Sequence, residues 1–272
     1  IIGSISWSTG VLWPAPFKYV AKLFTIAELD VYDFLPINCV GAINWYSWAA
    51  IQSLVPLAVI LVLFIVCSAL ERNGHDFMGW STLILYILLP SVNLTLVRVI
   101  KCMDMPDGTS WVAADLSLQC TDENGTMLTD HALMMAFSWV MMLFWGPVGV
   151  PLIFHKLLAS RKEEIKKYDK EDTMPENLKP LSFLFFCYKP ENYNAERWEC
   201  LRRLVLMGGV ALLAKPGDDD GQGALFGMLL GICFAIWERE RLPWANPGAN
   251  ALAISQLHAN RLIVLDQHLG DS

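Results

Sequence analysis

Three apolar runs decide what this chain can fold into. Residues 48–70 (WAAIQSLVPLAVILVLFIVCSAL) carry no charge and one amide, Gln52. Residues 133–154 (LMMAFSWVMMLFWGPVGVPLIF) carry no charge, and residues 80–100 (WSTLILYILLPSVNLTLVRVI) carry only Arg98, close enough to the end to snorkel. A bilayer core of about 30 Å needs roughly 20 apolar residues in a helix, and each run meets that length. A buried core helix of a water-soluble protein is the competing explanation, and runs this long disfavour it. Pro56, Pro90, Pro147 and Pro151 do not argue against spans, because neighbouring helices can satisfy the freed backbone groups.

Two shorter apolar segments, 201–214 and 224–237, are joined by the polar turn KPGDDDGQG, and with their flanks each is long enough to cross. The segment 249–269 carries His258, Asn260, Arg261, Asp266, Gln267 and His268, which suits an amphipathic or interfacial helix better than a span. The fold class expected is therefore all-α, a multi-pass transmembrane helix bundle of about five spans. Its divisions are a pre-span segment (1–47), three helices (48–158), a linker (159–199), two more membrane helices (200–238) and a polar tail (239–272). The chain opens on Ile1 and Ile2 without an initiating Met, so it is expected to be part of a longer polypeptide.

Charge sets the orientation. The loop 102–132 holds Asp104, Asp107, Asp115, Asp122, Glu123 and Asp130 with one cysteine at its start, and no Lys or Arg. Segment 156–170 (KLLASRKEEIKKYDK) is rich in both cations. The positive-inside rule places 159–199 in the cytosol and 102–132 outside or in a lumen. The sequon Asn124-Gly125-Thr126 lies in that outer loop, as a glycosylation site should. Cys102 and Cys120 bracket part of it and suit a disulfide in an oxidising compartment; two free thiols, or pairing of either with Cys39, are the alternatives. Cys67, Cys187, Cys200 and Cys233 fall in or near membrane or cytosol and are expected to be reduced, with Cys187 and Cys200 open to palmitoylation.

The order of motifs resembles the C-terminal membrane region of TRP-like proteins of protists, algae and oomycetes. The stretch WPAPFKYVAKLFTIAELDVYDFLPINCV followed by YSWAAIQSLVPL is similar to its opening. LILYILLPSVNLTLVRVIKC, DGTSWVAADLSLQC, GPVGVPLIFHKLLASR and FCYKPENYNAERWECLRRLVLMGG follow in family order, over most of 13–257. The resemblance implies a membrane protein of channel-like or transport-like type, often preceded by a large Cys-rich ectodomain with EGF-like or ephrin-receptor-like repeats. A non-conducting anchor or receptor for such an ectodomain is the rival. The chain departs from the family at its end, where HANRLIVLDQHLGDS stands in place of an apolar helix.

Signals for an enzyme are poor. The five histidines show no paired metal spacing, no cysteine pair is spaced CxxC, and there is no nucleophile elbow or P-loop. GQGALFG at 221–227 follows a turn and not a strand, so it reads as a packing stripe of Gly223, Gly227 and Gly231 and not as a dinucleotide loop. No cofactor or metal is expected. The net charge of −7 argues against nucleic acid, leaving the lipid bilayer, and a homo-oligomer, as partners. In such an oligomer Asp218, Asp219 and Asp220 at the outer mouth could concentrate cations; a solvated turn is the plainer reading. Charge within the apolar runs is almost absent, against a proton-coupled transporter. The charge crowded around Trp198, Glu199, Arg202 and Arg203 reads as an interfacial linker, with Trp198 in the aromatic belt and the arginines snorkelling or pairing with Glu199.

Overall fold

A computed structural model describes residues 43–69, 74–168, 174–213, 222–241 and 244–245. The chain is mostly helical. Helices α1 (Trp45–Ala69) and α2 (Gly74–Ile100) pack along each other. A three-stranded antiparallel sheet follows, β1 (Cys102–Asp104), β2 (Ser110–Val112) and β3 (Gln119–Thr121), in that order. Then come α3 (Thr129–Trp145), α4 (Val150–Ala159), the short α5 (Lys162–Lys167) and α6 (Ser182–Phe185). The last helices are α7 (Ala195–Leu204), α8 (Val210–Leu213) and α9 (Gln222–Arg241), with a π-helical turn, Val205–Gly209, between α7 and α8.

Among the described residues three helical stretches are long and apolar enough to cross a membrane: Trp45–Ala69, Phe77–Ile100 and Thr129–Ala159. A turn at 160–161 ends α4 before α5 begins, at the start of the linker. The residues 214–221, which hold Asp218, Asp219 and Asp220, and the segment 246–272 lie outside the described residues.

Helix α2 is the centre of the bundle. Leu89, Val92, Leu96, Val97 and Val99 are fully buried on it, under α1, α3, α4 and the segment 178–185. In contrast α1 buries one stripe, Trp45, Ala49, Ser53 and Pro56, at helical spacing. Its other faces show Leu61, Val62, Phe64 and Ile65 to the surroundings.

Polar groups join these helices inside the apolar layer. The Gln52 amide donates to Ser91 Oγ at 2.6 Å, and its carbonyl oxygen accepts from Thr95 Oγ1 at 2.6 Å. The next residue, Ser53, offers its backbone carbonyl to Trp145 Nε1 at 3.2 Å. Thus neighbouring residues of α1 tie it to both α2 and α3.

The all-α expectation needs amending in the loop 102–128, where the sheet forms. Its turns are made by the acidic residues: Asp107, Asp115 and Asp122 each accept a backbone N–H two residues on. Gly108 and Gly125 supply the positive φ angles of 86° and 74° that those turns need. Asp115 also accepts from Trp45 N at 3.0 Å, so the loop caps the start of α1. Cys102 and Cys120 form a disulfide, and Val112 and Cys120 join the main apolar core. Asn124 stands exposed at the β3 turn.

The third apolar run is broken at 146–149, between α3 and α4. The chain bends so tightly that a Cβ on Gly149 would lie 1.9 Å from the Phe144 carbonyl oxygen. Gly149→Ala should therefore force the two half-helices apart, at a cost on the order of 2–4 kcal/mol. Thermal unfolding of the purified protein in detergent measures it; an unchanged midpoint would show that the break is not close-packed.

Candidate functional site

The stretch FLFFCYKPENYNAERWECLRRLVLMGG (183–209) forms an elbow beneath α2. Its apolar first part does not run as a strand. Together with the 3-10 turn that precedes it, Lys179–Leu181, it folds as α6, and Leu181, Leu184 and Phe185 are buried against the bundle. Pro180 sits so near Gly79 of α2 that a Cβ there would be 3.2 Å from the proline ring. The chain then turns through Pro190–Asn192 and enters α7.

Helix α7 carries charge on its buried face, and each group has a partner. Glu199 receives both arginines that follow it: Arg202 Nε donates at 3.0 Å with a second contact from Nη2, and Arg203 Nε approaches at 3.4 Å. Arg203 reaches further, donating from Nη1 to the Tyr86 hydroxyl at 3.1 Å on α2. Its guanidinium also lies 5.8 Å from the Tyr86 ring centroid. One turn earlier Glu196, only 4% exposed, accepts from the Tyr188 hydroxyl at 2.6 Å. Burial raises the Glu196 carboxyl above the ordinary range, and burial together with the nearby carboxylate raises the Tyr188 phenol. The donor in that pair is thus the tyrosine.

Beyond Leu204 the helix widens into the π-turn, a form that recurs at functional sites. There Gly208 lies against α2, where a Cβ would stand 3.5 Å from Val97. The elbow therefore grips α2 at Gly79, Tyr86 and Val97, over most of its length.

On the other side of α7 lies a cavity of about 350 Å³, shared with α9. Trp198 and Trp237 face each other across it at 5.0 Å between ring centroids. Tyr188 pairs with Trp244 at 4.7 Å, and the strand-like bridge between these two residues is backed by Ala245 N donating to the Cys187 carbonyl.

Of the residues singled out in the sequence, Trp198, Glu199, Arg202 and Arg203 come together here. The two arginines serve Glu199 and α2 rather than extending away from the protein. Tyr86, Tyr188 and Glu196 were not singled out; Tyr86 sits inside an apolar run and shows no local sign of a charged partner. The Cys102–Cys120 pair lies elsewhere, at the opposite end of α2, with the buried His131 at 3.5 Å from Cys102 Sγ and 2.7 Å from Tyr46 Oη. Gly231 of the small-residue stripe has open space around it, so no helix of the described chain presses on it. No known protein family, characterised protein or solved structure matches the chain.

A carboxyl with a raised folded value stabilises the fold while protonated. That contribution is complete below the unfolded value of about 4.5 and is lost as pH rises through the raised folded one. Glu196→Gln keeps the shape without the charge, so the variant should lose less stability than the parent between pH 4.5 and 8. Thermal midpoints across that range test this; parallel curves would refute a buried, titrating Glu196.

Proposed function

We propose that the chain is the membrane region of a TRP-like protein and works as a channel-like or transport-like module with about five spans. The reading adds 201–214 and 224–237 to the three long apolar stretches as shorter crossings, with 102–132 outside and 159–199 in the cytosol. One observation carries it: a polar elbow, held by Arg203 to Tyr86, grips the central helix α2 at three heights. A displacement of the cytosolic segment is thereby transmitted to the helix on which the bundle is built. Supporting features are the polar clasp at Gln52, Ser91 and Thr95 and the break in the third stretch, since discontinuous helices and buried polar groups accompany transport pathways.

A second reading, a non-conducting anchor for an upstream ectodomain, is favoured by the filled interior. Val92, Ser53 and Trp145 are fully buried, so a conduction path would have to form between copies of the chain. The exposed apolar faces of α1 and the open Gly231 leave room for such copies.

Two measurements separate and test these readings. Cation flux into liposomes holding the full-length protein should fall about tenfold when Asp218, Asp219 and Asp220 are all changed to Asn, or when Arg203→Met unfastens the elbow. Absence of flux in the parent under every condition would leave the anchor. For sidedness, expression in a glycosylating cell should give a mass that glycosidase lowers and that Thr126→Ala abolishes. An unglycosylated Asn124 with the loop accessible from the cytosol would invert the orientation.

A further inference from the structure

The cavity between α7 and α9 has an unusual lining. Its charged members are Glu191, Glu199, Arg202 and Arg241, two of each sign. Glu199 is already neutralised by Arg202 and Arg203. Arg241 lies over the rings of Trp237 and Trp198, 4.6 and 5.8 Å from their centroids. Among the described residues no carboxylate pairs with it. A guanidinium resting on indole faces keeps its N–H edge for an oxyanion, which it can hold with two parallel hydrogen bonds. The same cavity is lined by Glu191 and by the paired rings of Tyr188 and Trp244, while Tyr193 already carries the Lys162 ammonium 6.0 Å from its ring centroid. Electron-rich ring faces beside a carboxylate attract a weakly hydrated cation, and quaternary ammonium above all.

We propose that this cavity binds the phosphocholine headgroup of a membrane phospholipid, with the phosphate on Arg241 and the trimethylammonium at the Tyr188 and Trp244 rings. The charge inventory chooses this occupant. Among the described lining residues Arg241 and Glu191 are the cation and the anion left without an ion pair, which matches a zwitterion, whereas a multiply phosphorylated headgroup would call for several unpaired cations in that lining. The volume falls within the range of small-molecule sites, roughly 300–1,000 Å³. Helix α9 also exposes Leu225, Leu229 and Ile236, an apolar surface for acyl chains. The inference rests on the elbow lying at a membrane boundary, as in the proposed function, but not on which side that boundary faces.

The test is native mass spectrometry of the delipidated full-length protein in a maltoside detergent. Short-chain phosphatidylcholine, phosphatidylglycerol and phosphatidylinositol 4,5-bisphosphate are added in turn, with free phosphocholine and inorganic phosphate as competitors. Phosphatidylcholine should be retained about tenfold better than either other lipid, and free phosphocholine should displace it better than inorganic phosphate. Arg241→Gln and Trp237→Leu should each lower retention about tenfold, while Arg239→Gln, on the same helix but outside the cavity, should not. Equal retention of all lipids, preference for an anionic one, or equal displacement by inorganic phosphate would overturn the proposal. So would unchanged retention in both cavity variants. Because binding in detergent does not report sidedness, a failure here with Asn124 glycosylated removes the headgroup site alone. Binding with Asn124 in the cytosol removes the orientation alone.

Discussion

The amide of Gln52 is the interaction on which the arrangement of helices depends. Both its ends are used across to α2, on Ser91 and Thr95. In an apolar layer no water competes for those bonds, so sliding α1 along α2 by one residue would leave donors and acceptors unmatched. Interhelical bonds of this kind contribute about 0.6–2 kcal/mol each, less than the packing, but they fix register where apolar packing alone tolerates slippage. The Ser53 carbonyl then sets the height of α3 through Trp145, and Asp115 sets the sheet-bearing loop on the first turn of α1.

The elbow uses charge in the same way at the other end of α2. Glu199 lies between two arginines, and one of those continues to Tyr86. Leaving such a carboxylate without its partners would cost far more than the pair contributes, which makes the group a device for specifying geometry more than for adding stability. Glu196 differs, because its partner is a neutral phenol and burial favours its protonated form. Two acids three residues apart therefore have opposite electrostatic surroundings.

Much of this was legible in the residues, and the limits have physical causes. The apolar runs at 48–70 and 80–100 correspond closely to α1 and α2, because length and lack of charge act locally. The run at 133–154 breaks, since its Gly-Pro-Val-Gly centre joins two glycines with a proline that removes a backbone donor. The sheet in the loop between α2 and α3 was hidden because its strands are three residues long, too short to show alternation. There the carboxylates that read as net charge prove to be turn formers. The Arg203–Tyr86 contact joins residues 117 apart, and nothing in a local pattern announces such a pair.

The narrow buried stripe of α1 has a mechanical consequence. A helix attached along one seam, with its other faces apolar and open, is the element whose tilt would follow the thickness of a surrounding bilayer most directly. A thinner membrane would lean α1 about that seam, and the strain would be felt first at the bonds of Gln52 and the Ser53 carbonyl. Lateral tension, which thins a bilayer, would thus reach α2 through those bonds.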